Sequence, residues 1–190
     1  NAILAISNAN SQLAEQVISE DQSVDAMEID IDEACILIIA RRQPAASDLR
    51  LVMMVTKAVN DLERIGDEAR KIANHAIILS EESETSAGYP EVRHIATSVT
   101  KVLAHALDAF ARFDAEAAIR TIEEDKQVDL DYKTALREVA TYMMEDPRSI
   151  GRAINILWVV RSLERIGDHA KNLCEQIVFV VKGKDIRHKT

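Results

Sequence analysis

Apolar residues recur along this chain at spacings of three and four, the period that lines one face of a helix. Ala14, Val17, Ile18, Val24, Met27 and Ile31 follow one such face, and Leu51, Val52, Val55, Val59, Leu62, Ile65, Ala69 and Ile72 follow another. Breaks in the pattern divide it into six helical segments. Residues 1–9 read as the closing turns of a helix whose beginning is not visible. Asn10 or Ser11 can cap a second helix that runs to Arg42, and Pro44 ends it. Ser47 or Asp48 is expected to cap a third helix that reaches about Leu79. Ser80 to Tyr89 is polar and carries Gly88 just before Pro90, so the link between halves is expected there. A fourth helix should run from Pro90 to Arg112 and a fifth from its cap Asp114 to about Glu145. Pro147 and Ser149 should open a sixth that stops near Gly183.

Two stretches of this pattern are copies of each other. Leu62-Glu63-Arg64-Ile65-Gly66-Asp67 returns unchanged as Leu163-Glu164-Arg165-Ile166-Gly167-Asp168, 101 positions later. The preceding helices repeat as well, because Glu20-Asp21-x-x-Val24-Asp25 matches Glu124-Asp125-x-x-Val128-Asp129 at an offset of 104. A repeat fixes architecture before any single residue is placed. The expected fold is therefore all-α, two tandem pseudo-symmetric three-helix bundles over residues 1–82 and 90–190 joined by a linker at 83–89. By that comparison the first helix of the first half is short by more than a dozen residues, so its N-terminal part is expected to be missing from this sequence.

Composition narrows the function. At 190 residues and 47% hydrophobic content the chain can bury a core, and five glycines, three prolines and 4% aromatics agree with helices. A net charge of −9 argues against a nucleic-acid surface, which needs clustered Lys and Arg. No run of 18 uncharged apolar residues exists, and residues 1–20 lack the pattern of a signal peptide, so a soluble, cytoplasmic chain is expected without direct membrane insertion. Cys35 and Cys174 stand alone with no CxxC spacing, which favours buried free thiols in a reducing compartment.

The repeated motifs carry acids four residues apart, so both carboxylates stand on one helix face, a turn apart. Like charges at that spacing cost a helix roughly 0.2–0.5 kcal/mol, and the intervening glycine about 1 kcal/mol relative to alanine. One compensation is neutralisation by Arg64 or Lys71, and by Arg165 or Lys171, with the glycine admitting a neighbouring helix. The other is a cation. In an antiparallel hairpin about Pro44, Asp25 and Glu63 are each 19 residues from the turn, and Asp21 and Asp67 each 23. About Pro147 the separations are 18 and 17 for Asp129 and Glu164, and 22 and 21 for Asp125 and Asp168. Each half can thus bring four carboxylates together, and such groups repel unless protonated, paired or bound to metal. Oxygen ligands suit Mg, Ca, Mn or Fe, whereas tight zinc sites usually include His or Cys; Mg, Mn, Fe and Zn are the candidates retained. The ExxH motif of di-iron carboxylate enzymes is absent. His169 should point about 100° away from Asp168 and is read as a surface or packing residue, as are His75, His94, His105 and His188. Tyr142, Met143, Met144, Met53 and Met54 are read as packing residues.

The two D-x-x-V-D and L-E-R-I-G-D motifs come with longer runs: Ile31-Asp32-Glu33-Ala34-Cys35, Arg41-Arg42-Gln43-Pro44 and Ser47-Asp48-Leu49-Arg50. Leu107-Asp108-Ala109-Phe110-Ala111-Arg112, Tyr142-Met143-Met144-Glu145-Asp146 and Val180-Val181-Lys182-Gly183 complete the set. With these, the chain resembles the PhoU family over almost its whole length, apart from a longer first helix in family members. The resemblance implies two three-helix bundles, commonly dimeric, with metal held at Asp21, Asp25, Glu63, Asp67, Asp125, Asp129, Glu164 and Asp168. It also implies a cytoplasmic negative regulator of the phosphate regulon, recruited to the inner face of the membrane. Its partners would be the ATPase subunit of the phosphate ABC transporter and the sensor histidine kinase. The chain shows no nucleophile or phosphate loop, so an adaptor without catalytic activity is expected. A metal-dependent enzyme using the same clusters is the alternative.

Overall fold

The structure, a computed structural model, describes residues 1–81 and 89–183, apart from the side chain of Glu91. Among the described residues six helices form: α1 (Ala2–Ser7), α2 (Ser11–Arg42), α3 (Ala46–Glu81), α4 (Pro90–Arg112), α5 (Ala115–Glu145) and α6 (Ile150–Lys182). A 3-10 turn, Pro147–Ser149, leads into α6. The expected linker, except for Tyr89, lies outside the described residues.

Local chemistry accounts for most of the boundaries. Asn10 Oδ1 accepts from the Leu13 amide at 3.0 Å and opens α2. Asp114 Oδ1 accepts from the amides of Glu116 and Ala117 at 3.0 and 2.9 Å and opens α5. Those amide bonds hold the Asp114 carboxyl below its ordinary range. Pro90 starts α4, where its missing N–H costs nothing. Gln43 takes a left-handed conformation at φ +48° to close α2, and Gly183 does the same for α6 at φ +65°. The start of α3 differs from expectation, because the Ala45 carbonyl accepts from the Asp48 amide at 3.1 Å and the helix begins at Ala46. Ser47 and Asp48 thus fall in the first turn, and the Asp48 carboxylate there suits the helix dipole.

Helices α2 and α3 form one antiparallel hairpin, and α5 and α6 form the other. Helix α3 also packs along α6, joining the halves through their third helices. Helix α4 lies on α5 and α6, while α1 covers part of α2 and α3 and touches α4. Ser11 Oγ meets Ser80 Oγ at 2.8 Å, which sets the start of α2 beside the end of α3. The main core runs through both halves: Ile72, Ile95, Val128, Val159, Leu163 and Ile177 are at most 1% exposed. Met54 and Ala58 of α3 with Leu173 of α6 form a smaller apolar cluster.

The two ends of the apolar pattern are buried unequally. Along α5 Val139 is buried in the main core, whereas Ile36, Leu37, Ile38 and Ile39 of α2 are exposed, and Leu51, expected in the buried stripe of α3, is 38% exposed. Met54 and Met143 pack as expected, but Met53, Tyr142 and Met144 are exposed. Cys35 and Cys174 are free and buried. Burial, with the nearby Asp125 charge, pushes the Cys174 thiol up to about 12.

Candidate metal centres on the paired helices

The hairpin register assembles the acids as the equal heights require. Burial raises the Asp21 carboxyl above its ordinary range against the pull of Arg70, and Asp25 and Asp67 add to the rise. Glu63 is raised by burial against Arg64, with Asp67, Asp25 and Glu28 adding. In the second half burial raises Asp125 against Lys171, and Asp129 and Asp168 add. Glu164 is raised by burial and Asp168, against Arg161, with Asp129 and Asp125 adding. All eight acids therefore act within two groups of four, one in each hairpin. Asp21 and Asp125 lie buried at the helix interfaces, while Asp25, Asp129 and Asp168 are exposed.

The repeated glycine lets the buried acid fit. A Cβ on Gly66 would stand 3.1 Å from Asp21 Oδ1, and one on Gly167 would stand 3.2 Å from Asp125 Oδ1 and 3.1 Å from Val128 Cγ1. The middle helix of each half thus lays a carboxylate against a backbone where any other residue would place a side chain.

Each cluster also contains a base. Arg70 Nε is 2.6 Å from Asp21 Oδ2, and Arg70 Nη2 donates to Asp67 Oδ1 at 2.6 Å. That hydrogen bond holds the Asp67 carboxyl below its ordinary value. Arg64 lies 3.3 Å from Glu63 and 3.5 Å from Asp67. Lys171, the counterpart of Arg70 at the 101-residue offset, is 3.4 Å from Asp125. The expected neutralisers divide: Arg64 and Lys171 serve the clusters, whereas Lys71 and Arg165 both go to the buried Glu68, at 2.9 and 3.2 Å. Arg70 was absent from the expected set, although the repeat offset from Lys171 points to it.

Among the described residues no three Asp, Glu, His or Cys side chains stand placed to share a metal ion as they lie. The donor set nonetheless fits a hard cation in one respect. Asp21 Oδ1, Glu63 Oε2 and Glu164 Oε2 are buried without a hydrogen bond, although Arg64 and Arg161 stand 3.3 Å from the two glutamates. Buried acceptors of this kind are costly unless a donor or cation meets them.

The histidines turn away from the acid clusters toward other partners. His169 meets Asp61 at 2.8 Å across the α3–α6 contact, so it is half-buried in an interhelical bond rather than packing alone. His75 meets Asn155 at 3.1 Å, His94 meets Asp131 at 3.2 Å and His105 meets Glu124 at 3.0 Å. Helical spacing within one element could not reveal these pairs, since each partner sits on another helix. His188 lies outside the described residues.

A family model described as the PhoU domain matches residues 1–76 and again 92–177. The chain belongs to the PhoU family. It is 57% identical, over 99% of its own length and 78% of the relative's, to a Pseudomonas aeruginosa protein named "Phosphate-specific transport system accessory protein PhoU homolog". Its fold is similar to the crystal structure of PhoU from Pseudomonas aeruginosa, with a TM-score of 0.93, 57% identity, and coverage of 96% of this chain and 88% of that one. The phosphate transport system regulatory protein PhoU from Streptococcus pneumoniae is similar at a TM-score of 0.88 and 28% identity, over 97% and 86% of the two chains. The fold is thus the tandem pair of PhoU helical bundles, with one acid cluster per bundle.

The two PhoU domains differ around their acids. Glu28 in the first corresponds to Tyr132 in the second, and Asn60 to Arg161. Arg161 sits over the Tyr132 ring at 6.0 Å and pairs with Glu164, so the second cluster has an added cation where the first has an added acid.

Proposed function

We propose that this chain is a metal-binding regulatory adaptor of phosphate uptake. The observation that carries the reading is the 57% identity, over 99% of the chain, to a relative named as an accessory protein of phosphate-specific transport. The grouping of eight motif acids into two clusters, each with a buried carboxylate oxygen that has no hydrogen bond, supports the metal. Asp21, Asp25, Glu63 and Asp67 would hold one group of ions, and Asp125, Asp129, Glu164 and Asp168 the other. Bound Mg, Mn, Fe or Zn would supply the positive charge that Arg70 and Lys171 now provide, and would clamp each hairpin.

In this reading the protein works in the cytoplasm without catalysis, as a homodimer, and acts as a negative regulator of the phosphate regulon. It links the transporter's ATPase subunit to the sensor histidine kinase and reaches the membrane through them. No described helix is long and apolar enough to cross a membrane. The test is a pull-down with the ATPase and the kinase cytoplasmic domain at high and low phosphate. It compares the wild type with a folded variant lacking all eight acids. The wild type should bind and the variant should bind less. Failure of the wild type to bind either partner removes the adaptor reading, and equal binding by both separates the clusters from partner recognition.

A further inference from the structure

One turn toward the hairpin tip from the second acid cluster, Tyr132 of α5 and Arg161 of α6 meet across the hairpin, the guanidinium 6.0 Å from the ring centre. Hydrogen bonding to Tyr132, ahead of the Glu164 charge, raises Arg161 above its ordinary value. The same guanidinium faces both Glu164 oxygens, at 3.4 and 3.3 Å. Glu164 is thereby matched with a cation that the facing helix holds in place.

The first half is built otherwise. At the repeat offsets Glu28 takes the place of Tyr132, and Asn60 that of Arg161. Glu28 is 16 residues before Pro44 and Asn60 16 after it, so these two stand level across their hairpin as Tyr132 and Arg161 do across theirs. The motif glutamate there also has an arginine, since Arg64 Nε lies 3.3 Å from Glu63 Oε2. What holds that arginine is different. Arg64 pairs with Glu63 and Asp67, acids of its own helix. A cation that claims those acids lets Arg64 swing into solvent, whereas Arg161 keeps an aromatic seat beside the site after its carboxylate is taken.

We infer that Tyr132 and Arg161 form a built-in competitor at the second metal centre, which sets its affinity below what its four carboxylates alone would give. The inference rests on the metal-binding reading above. Seated on Tyr132, the guanidinium keeps a positive charge beside Glu164, and an incoming cation must enter against it. Removing the seat, with no change of charge, relieves that opposition because the freed guanidinium can move away. In the first centre the carboxylate of Glu28 stands where the ring would be, and an added carboxylate favours a hard cation.

Mn titrations of the full chain, read by the electron paramagnetic resonance of free Mn, test this in two backgrounds. Asp21→Asn with Glu63→Gln leaves the second centre, and Asp125→Asn with Glu164→Gln leaves the first. In the background that keeps the second centre plus Arg161→Gln, Mn binding is expected to rest on the other three acids and Glu164 without the guanidinium, and to tighten about tenfold, the scale of one charge-assisted hydrogen bond. Tyr132→Leu should tighten it by a smaller factor. Arg161 is half-exposed, so its loss leaves the core in place, and Tyr132→Leu keeps the test decisive if it does not. In the background that keeps the first centre, Glu28→Tyr with Asn60→Arg should weaken binding by transplanting the competitor. Unchanged or weaker binding in both Arg161→Gln and Tyr132→Leu overturns the inference. Tightening by Arg161→Gln alone overturns it too, since a charge that acts without its seat needs no Tyr132. A transplant that leaves the first centre unchanged contradicts it as well. A wild type that binds no Mn removes the metal reading itself, a result distinct from Mn binding that none of these substitutions moves.

Discussion

The first and second acid clusters share a motif but settle their charge differently. In the first, Arg70 bridges Asp21 and Asp67 at 2.6 Å each while Arg64 stands near Glu63 and Asp67. In the second, Lys171 lies farther off, 3.4 Å from Asp125, and Arg161 takes Glu164. The first holds five acids (Asp21, Asp25, Glu28, Glu63, Asp67) against two bases (Arg64, Arg70), a net −3. The second holds four acids (Asp125, Asp129, Glu164, Asp168) against two bases (Lys171, Arg161), a net −2. Arg70 Nη2 makes a directed hydrogen bond to Asp67 while its Nε, which has no hydrogen bond, stands in close ion-pair contact with Asp21. The Lys171 ammonium acts as a more distant point charge. The first cluster is therefore tied more tightly yet has the greater need of a cation once that tie is released.

Metal should expose this difference most. Ion binding to the folded form alone adds RT ln(1 + [L]/Kd), about 2.7 kcal/mol at a hundredfold excess. Thermal melts with and without Mn should show a larger metal-dependent gain in Arg70→Met than in Lys171→Met, because the guanidinium is the stronger competitor. Equal gains would mean that Arg70 is no stronger a competitor for the metal position than Lys171.

Alanine at the two glycines sharpens the contrast at the packing level. The Gly167 Cβ would press on both Val128 Cγ1 at 3.1 Å and Asp125 Oδ1 at 3.2 Å, whereas the Gly66 Cβ would press on Asp21 Oδ1 at 3.1 Å and meet Val24 Cγ1 only at 3.4 Å. Gly167→Ala should cost about 1–3 kcal/mol in denaturant melts, the usual range for overpacking. Gly66→Ala should cost less, because it crowds one close neighbour rather than two and the helix gain of about 1 kcal/mol offsets part of the displacement of Asp21. The reverse order would refute this account of the glycines.

Acid dependence should have opposite signs at two positions. Burial raises Glu164, so its contribution to stability is present below the ordinary glutamate value of 4.5 and is lost as pH rises through the raised one. Glu164→Gln should therefore raise the melting temperature at pH 7 and leave it unchanged at pH 4. Asp67 is lowered by Arg70, so its contribution is present above 3.8 and is lost as pH falls through its depressed value. Asp67→Asn should lower the melting temperature at pH 7 and converge with the wild type in strong acid. Parallel shifts across the whole pH range in both variants would show that ionisation is not the cause.

Much of this arrangement was legible in the residues, because a repeat turns two vague helical patterns into one constrained architecture. Equal distances from Pro44 placed Asp25 level with Glu63, and in the structure the Asp25 charge adds to the rise of the Glu63 carboxyl. Residues that act across helices without a repeated motif stayed hidden. Asp61 gathers His169, Asn172 and Gln176 only because α3 lies against α6, and Glu28 joins Glu63 only through the hairpin. The exposed Ile36–Ile39 run shows the same limit, since hydrophobicity marks a face but not what covers it.

The central claim is that eight carboxylates in two hairpins hold metal. Its most direct measurement is metal stoichiometry by elemental analysis after equilibrium dialysis against Mn or Fe. The comparison runs over the wild type, Asp21→Asn with Glu63→Gln, Asp125→Asn with Glu164→Gln, and all four substitutions together. The account predicts bound metal in the wild type, partial loss in each double variant at its own cluster, and loss of both sites in the combined variant. A wild type that retains no metal, or a combined variant that retains as much as the wild type, contradicts it.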